Sequence, residues 1–400
     1  MSHPFKLSFS LKQHTPIIHF QGDHVGATLR ATEVKPKLDR FLIKYFKEQN
    51  IEYKHFISDK SVKGNPPLAY QLKVNSRVKK TEIIKKGDQN IPLFFGNMGN
   101  DYVPRTLVTN SNITVSIFCT NTDLRNYIND KINAFFSSTN FGMRTTKGFG
   151  SFTIENDFTP PANTYSFFVN TADWKVAFFT IDLFYKSIRG GINGARNPSS
   201  GGFVRDIYMK PLIFVYAKDA GIKWEKKIIK ERSFGRKLND QANDHRGQVN
   251  DHENWPLWVE EEKERVVRDM LGLSTEQTWR GYDGGRNGAT ILKSDPSKKI
   301  ERFASPIIFK PIKTKGGYEV YFWATPIPEK YKTAKMDIKV NRDIIGSFAN
   351  WDTFDIDHFF SNYLNETTVK NALQFNDKDY KQKALADKLF SIYANIEHNR

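Results

Sequence analysis

The sequence predicts an α+β protein made of two tandem domains with insertions, on three observations. Its 400 residues are more than one small core accommodates. Apolar residues recur both at alternate positions and at every third or fourth position, so strands and helices are both present. In the first third of the chain the two periods follow each other in the order β-α-β-β-α-β.

The elements read as follows. Pro16 to Phe20 forms a short strand. Leu38, Phe41, Leu42, Tyr45 and Phe46 lie at helical spacing, with Pro36 in that helix's first turn, where a missing N–H costs nothing. Leu68, Tyr70, Leu72 and Val74 alternate with Ala69, Gln71, Lys73 and Asn75, the pattern of a half-buried strand. Ile113, Val115, Ile117 and Cys119 alternate in the same way with Thr114, Ser116 and Phe118. A second helix runs from about Thr122 to Ser137, striped by Leu124, Tyr127, Ile128, Ile132, Phe135 and Phe136. Gly142 to Gly150 then leads into a last strand, Phe149 to Ile154. This order is the ferredoxin-like (RRM-like) arrangement, whose two helices cover one face of a sheet and leave the other free for a ligand or partner.

This first domain is expected over residues 1–160, and a second, degenerate ferredoxin-like domain over 161–400. In the second, Thr171 is a candidate N-cap for a helix from Ala172 to Ile188 that stops at Gly190-Gly191. Residues 190–202 carry five glycines and read as a mobile loop. Pro211 to Tyr216 reads as a strand. A charged, Asn/Asp-rich stretch at about 217–255 reads as a surface insertion. Pro256 opens a helix closing near Gly272, strands follow at Ile307–Ile312 and Tyr318–Ala324, and helices at about Phe354–Leu364 and Tyr380–Glu397 end the chain.

Composition narrows the function classes. Lys and Arg outnumber Asp and Glu by 60 to 44, a net charge of +16 with a pI near 9.5. Such a surplus favours a polyanionic partner, because each neutralised phosphate releases a counterion. Cys119 is the single cysteine, which excludes a disulfide framework and a Cys-rich zinc site. Met1 to Phe5 lacks the apolar run of a signal peptide, and no stretch approaches 18 apolar residues. A cytoplasmic protein with no membrane association, no cofactor and no metal site is expected.

The most informative stretch is Phe141-Gly142-Met143-Arg144-Thr145-Thr146-Lys147-Gly148-Phe149-Gly150-Ser151-Phe152. Its three glycines allow positive φ and close approach of the backbone to a ligand, and Arg144 and Lys147 supply charge for phosphate. A Walker A loop needs Lys after its last Gly, whereas Lys147 precedes Gly148. A dinucleotide fingerprint follows a strand and opens a helix, the reverse of the order here. Lys147-Gly148-Phe149-Gly150-Ser151-Phe152 is similar to the RNP1 core of an RRM, but an RRM needs another strand between its first helix and RNP1. A Gly-rich turn without a ligand is the bland alternative.

Placed between the second helix and fourth strand, this loop resembles that of the RAMP superfamily, the RNA-binding subunits of CRISPR effector complexes. Gly142 to Ser151 looks like the Gly-Gly-Arg-Arg-Ser-Arg-Gly-Phe-Gly-Ser form found in the first subunit of the type III-B complex, with Met143 in place of the second Gly. Arg302-Phe303-Ala304-Ser305-Pro306-Ile307-Ile308-Phe309-Lys310-Pro311 resembles the Arg-x-Ala-Ser-Pro-Leu segment that opens a late strand in the same subunits. Thr15-Pro16-Ile17-Ile18 and Gly26-Ala27-Thr28-Leu29-Arg30 are similar to their opening strand and first Gly/basic turn. The resemblance implies a non-catalytic RNA-binding subunit of a type III CRISPR interference complex, serving antiviral defence. Guide RNA, target RNA and the other subunits of the complex would be its partners. It also leaves open a metal-independent guide-RNA-processing endoribonuclease of the same superfamily.

Other basic positions extend the candidate interface. Arg30, Lys35, Lys37 and Arg40 surround the first turn and helix start, and the alternative for them is a solvated helix face. Arg189, Arg196 and Arg205 flank the 190–202 loop, and Arg280, Tyr282 and Arg286 interleave with glycines. Basic residues beside Gly and an aromatic suit a single strand. The expected RNA-binding set is therefore Arg30, Lys35, Lys37, Arg40, Gly142, Arg144, Lys147, Gly148, Gly150, Arg189, Arg196, Arg280 and Arg286. For proton transfer the candidates are His14, His19 and His24, none paired in sequence with a partner. The repeated Asn-Asp-His at 243–245 and 250–252 and the loop residue Asp206 are the weaker metal-linked candidates; no catalytic residue is singled out.

Overall fold

The computed structural model describes residues 4–19, 28–59, 61–62, 64, 66–84, 105–225, 229, 264–273, 276–279, 289–297, 300, 302–341 and 343–399. The first module is built from β1 (Lys6–Gln13), β2 (Ile17–Ile18), α1 (Ala31–Glu48), β3 (Gln71–Ile84), β4 (Arg105–Phe118), α2 (Thr122–Ser138) and β5 (Phe152–Ile154). β4 pairs antiparallel with β1, β2 and β3, and β1 pairs with β5, so the order β5-β1-β4-β3 is the 4-1-3-2 sheet of the ferredoxin-like fold. Alternation decides the faces. Leu11, Ile113, Val115 and Ile117 point into a core filled by Leu38, Leu42 and Phe46 of α1 and by Leu124, Ile128, Ile132 and Phe135 of α2. Asn121 starts α2 by accepting the Leu124 N–H through its side chain (2.9 Å).

The chain continues with β6 (Thr164–Val169) and α3 (Trp174–Tyr185), which Lys186–Gly190 extends as a π-turn. An inserted stretch then holds β7 (Ile192–Arg196), β8 (Phe203–Met209), α4 (Leu212–Asp219), β9 (Lys223–Trp224), β10 (Glu264–Val266), β11 (Glu276–Trp279) and β12 (Ala289–Ser294). β13 (Ile307–Lys313) and β14 (Tyr318–Ala324) follow, then a second insertion with β15 (Lys335–Val340), β16 (Asp343–Asn350), helices Ile356–Tyr363 and Glu366–Ala372, and β17 (Leu373–Gln374). Helix Tyr380–Ala394 and β18 (Glu397–Asn399) close the chain. The sheet order β13-β14-β6-β18 is again 2-3-1-4, with a helix in sequence between its first and second strands and another between its third and fourth. The protein is thus α+β with repeated ferredoxin-like topology, the second copy interrupted twice.

By contact, the chain forms two compact units, Met1–Phe178 with Ile308–Trp323 and Glu397–Arg400, and Phe179–Ile307 with Ala324–Ile396. The second unit carries a six-stranded sheet, β11-β12-β15-β16-β10-β9, and a three-stranded sheet, β17-β8-β7. Inside it a buried charge cluster joins Lys293, Asp269 and Glu225, with the Arg189 guanidinium 3.6 Å from Asp269. Burial opposes ionisation of Asp269, yet Lys293, Arg268 and Arg189 together hold its carboxyl below the usual carboxylate range.

Several sequence expectations need correction. The first strand begins at Lys6, because Leu7, Phe9 and Leu11 alternate with Lys6, Ser8, Ser10 and Lys12; Pro16 onward supplies only the two-residue β2. Residues Pro211 to Tyr216 start a helix instead of a strand. Pro211 takes the N-cap position, and Leu212, Ile213, Tyr216 and Ala217 bury one helical face. The expected loop at 190–202 is mostly a β-hairpin; a Cβ on Gly191 would stand 2.7 Å from Met209 O, so its glycine serves strand approach. The stretch before Gly272 is β10 and a 3₁₀ turn (Arg268–Leu271), not an α-helix, in its described part. Phe20, Gly26, His24, most of the 217–255 insertion with both Asn-Asp-His repeats, and Arg280, Tyr282 and Arg286 lie outside the described residues. No described helix is long and apolar enough to cross a membrane.

Candidate nucleic-acid interface

The loop after α2 is held from three sides, and each hold explains a residue of its sequence. Asn140 donates through its side-chain amide to Thr145 O (2.7 Å) and Phe309 O (2.8 Å), tying the loop to itself and to β13. Phe141 inserts among Phe135, Phe136 and Phe152. The Gly142 N–H donates to Glu33 Oε1 of α1 (2.6 Å), and the Met143 N–H donates to Ile18 O of β2 (2.7 Å). Arg144 then turns the chain in the left-handed region (φ 57°), and Thr145–Lys147 makes one 3₁₀ turn.

Close approach explains why glycine is needed. On Gly150 (φ 65°) a Cβ would lie 1.8 Å from Phe141 O, and on Gly142 (φ 83°) 2.4 Å from Ile18 O. On Gly148 (φ 94°) it would meet the Pro311 ring at 2.7 Å. Thr15 completes the fastening. Its hydroxyl donates to Gly148 O (2.7 Å) and accepts the Ser151 N–H (3.0 Å), while the Gly150 N–H donates to Pro16 O (2.9 Å). Behind the loop, fully buried Lys310 donates to Phe136 O, Thr139 O and Phe152 O, each at 2.8 Å. These carbonyls come from the C-terminal end of α2 and from β5, so the ammonium caps the helix where its dipole is negative. Burial, and secondarily the charge of Lys37, pulls the Lys310 pKa well down from the usual lysine range. Three acceptors nevertheless call for all three ammonium protons.

The three sequence stretches most separated along the chain, at Thr15–Ile18, Gly142–Ser151 and Phe309–Pro311, thus meet at one place. The loop is not uniformly open. Gly142 to Thr146 is half-exposed, whereas Lys147 to Gly150 is buried, with Lys147 only 8% exposed. Lys147, expected at the surface, therefore belongs to the loop's base. The backbone N–H groups of Thr145 and Thr146 make no hydrogen bond among the described residues. With Arg144 they line the accessible strip.

The other expected residues separate into those near the loop and those elsewhere. Lys37 donates to Asn140 O (3.0 Å) and Glu33 Oε1 (2.8 Å) and lies over the Phe141 ring (4.8 Å), so α1's first turn and the loop are one assembly. Arg40, exposed and three residues on, shares that helix side. Arg30 is half-exposed at the N-cap of α1. Lys35 turns away, to Asp39 Oδ2 (2.8 Å), Leu68 O (3.0 Å) and the Tyr70 ring. In the second unit, Arg189 donates to Gly272 O (2.5 Å) inside the buried charge cluster, and Arg196 braces its own hairpin through Gly201 O (2.6 Å). Arg205 and Asp206 are exposed on β8, the latter with φ 57°. Glu33 and Asn140 were not foreseen; Thr15 and Lys310 stand in two of the stretches that carry the resemblance, but no role was assigned to either.

His14 offers no proton-transfer site. Its Nδ1 accepts the Lys313 N–H (2.9 Å), which places the ring proton on Nε2, where it is donated to Thr153 Oγ1 (2.8 Å). Burial, then the charges of Lys310 and Lys12, push its pKa down to about 3. His19 is fully buried.

Repeated ferredoxin-like topology, with a Gly-rich loop fastened between the second helix and fourth strand of the first copy, defines a RAMP-type protein. Family models agree in detail: the Cmr1 N-terminal domain matches residues 4–192 and the Cmr1 C-terminal domain residues 208–383. The chain belongs to the Cmr1 family, subunits of the type III-B CRISPR complex, whose partners are the other subunits of that complex. No curated protein matches the chain.

Proposed function

We propose that the protein is a non-catalytic RNA-binding subunit, gripping the backbone of guide RNA, target RNA or both along the strip Gly142–Thr146. One observation carries this reading. The strip brings the half-exposed Arg144 together with the Thr145 and Thr146 amides on a loop fastened before them at Gly142 and Met143 and after them at Gly148 and Gly150. A rigid loop of this kind binds phosphate with little ordering cost, and its groups read backbone, not base edges. Lys37, Arg40 and Arg30 extend the same positive surface, while Lys147, Gly148 and Gly150 shape the loop from beneath. For the endoribonuclease reading, His14 is removed as a base because its ring nitrogens are both committed.

Arg144→Ala, alone and with Lys147→Ala, tests the grip in full-length protein, read by fluorescence anisotropy with single-stranded RNA across a salt series. Weaker binding is expected, with the salt slope flattened by about 0.7 units on a single strand for the one accessible cation, Arg144, and no further flattening from Lys147→Ala at the loop's base. Unchanged affinity and slope make the loop purely structural. Incubation with repeat RNA, with and without chelator, tests the alternative: discrete cleavage abolished by His19 or His24 replacement would sink the binding-subunit reading.

A further inference from the structure

The sheet of the first module has a second face, opposite α1 and α2, and its composition is specific. Cross-strand register sets out three rows on that face: Lys6–Phe118–Gln71, Ser8–Ser116–Lys73 and Ser10–Thr114–Asn75. The intervening rows, Leu7–Ile117–Leu72 and Phe9–Val115–Val74, belong to the core. Every side chain in the three outward rows is therefore a hydroxyl, an amide, a lysine or Phe118, and none is acidic. Arg77, exposed and two residues beyond Asn75, continues the strip past a bulge at Asn112 (φ 51°). Lys12 lies on the same side of β1, but its Nζ reaches Lys313 O (3.4 Å). An acidic side chain, Glu155, follows β5 at the margin, its N–H donating to Ser10 O.

An aromatic platform stands at one end of these rows. Phe118 is 40% exposed and Phe5 38%, their rings edge to face at 6.2 Å. The Arg125 guanidinium covers Phe5 at 5.8 Å and is fixed by donation to Cys119 O (3.1 Å). A solvated sheet face in a protein of ordinary charge carries both signs and keeps phenylalanine inward. This one does neither.

We infer that the outward face of the β1-β4-β3 part of this sheet is a second RNA surface, taking a single-stranded segment with an unpaired base stacked at Phe118 and Phe5. Lys6, Lys73 and Arg77 meet its phosphates. The Ser8, Ser10, Ser116 and Thr114 hydroxyls and the Asn75 amide lie where ribose 2′-hydroxyls and base edges pass. Charge complementarity selects the occupant, since an acidic protein segment would have no use for the exposed ring pair beside the lysines, whereas an unpaired base has a π-face and a phosphate together. The inference rests on the RNA-binding reading of the chain but uses none of the loop residues.

The test is anisotropy with a single-stranded oligoribonucleotide on four full-length proteins: wild type, Phe118→Ala, Phe118→Trp and Lys6→Ala/Lys73→Ala. All these side chains lie on the surface of the sheet, and circular dichroism checks that each variant folds. Phe118→Ala is expected to weaken binding about five-fold to hundred-fold and Phe118→Trp to restore it. The double lysine variant is expected to flatten the salt slope by about 1.4 units, at 0.7 per phosphate on a single strand. An equivalent duplex should compete poorly. Wild-type affinity and slope in the Phe118→Ala and double lysine variants overturn the inference, as does a duplex competing equally well. So does loss of assembly with other subunits at unchanged RNA affinity, which makes the face a protein interface. If the wild type itself binds no RNA, it is the functional reading that fails, so the two outcomes are distinct.

Discussion

Replacing Lys310 with Met tests whether the loop is held from behind as the geometry indicates. Met matches the length and apolar stem of lysine but donates nothing, so Phe136 O, Thr139 O and Phe152 O lose a donor together. A buried acceptor left without a partner costs about 1–3 kcal/mol, which puts the gross loss near 3–9 kcal/mol. Against that stands the desolvation of a fully buried ammonium, several kcal/mol that the variant no longer bears. The net expectation is a destabilisation of about 2–5 kcal/mol. For a unit of roughly 200 residues this lowers the melting temperature by about 5–15 °C. Differential scanning calorimetry reads it directly, and RNA anisotropy on the folded variant should show weaker binding, because the C-terminal end of α2 delivers the loop. A melting temperature within about 2 °C of wild type refutes the reasoning, since the three bonds would then do no more than offset the cost of burying the charge.

Two further outcomes follow from the same region. The His14 pKa of about 3 in the folded protein lies below its unfolded value near 6.5, so its stabilising contribution is whole above pH 6.5 and is lost as pH falls towards 3. The acid limb should steepen by up to about 1.4 kcal/mol per pH unit, and urea midpoints measured from pH 7 to 4 should fall more steeply for wild type than for His14→Gln; parallel profiles contradict this. Among the loop glycines, Gly150→Ala should be the more damaging, its Cβ meeting backbone at 1.8 Å, and Gly148→Ala milder, its Cβ meeting the Pro311 ring at 2.7 Å. Soluble yield and thermal midpoint rank them, and the reverse order would show that the loop relaxes as a whole.

Much of the first module was legible because alternation and helical spacing are local properties. Leu72 and Val74, or Leu124, Ile128 and Ile132, announce a face whatever they pack against. β1 escaped notice because its apolar set, Leu7, Phe9 and Leu11, is only three residues long and embedded among lysines and serines. α4 was misread because Leu212, Ile213, Phe214 and Val215 form an unbroken apolar run, which periodicity cannot assign to strand or helix. The loop's position could be read, but its exposure could not. Lys147 and Arg144 look alike in sequence, and only the 3₁₀ turn and the Thr15 and Pro311 contacts put one at the base and the other on the accessible strip. Arg189 failed as a surface cation for a related reason: its partners Asp269 and Gly272 are some eighty residues away in sequence.

Amide hydrogen exchange of the full-length protein with and without single-stranded RNA locates the grip most directly. Peptides covering residues 142–147 should exchange more slowly with RNA present, because the Thr145 and Thr146 amides acquire phosphate acceptors, while the already bonded amides at Gly148 and Gly150 change little. Tight RNA binding with unaltered exchange across 142–147 would contradict the account, and the peptides protected instead would mark where the RNA is held.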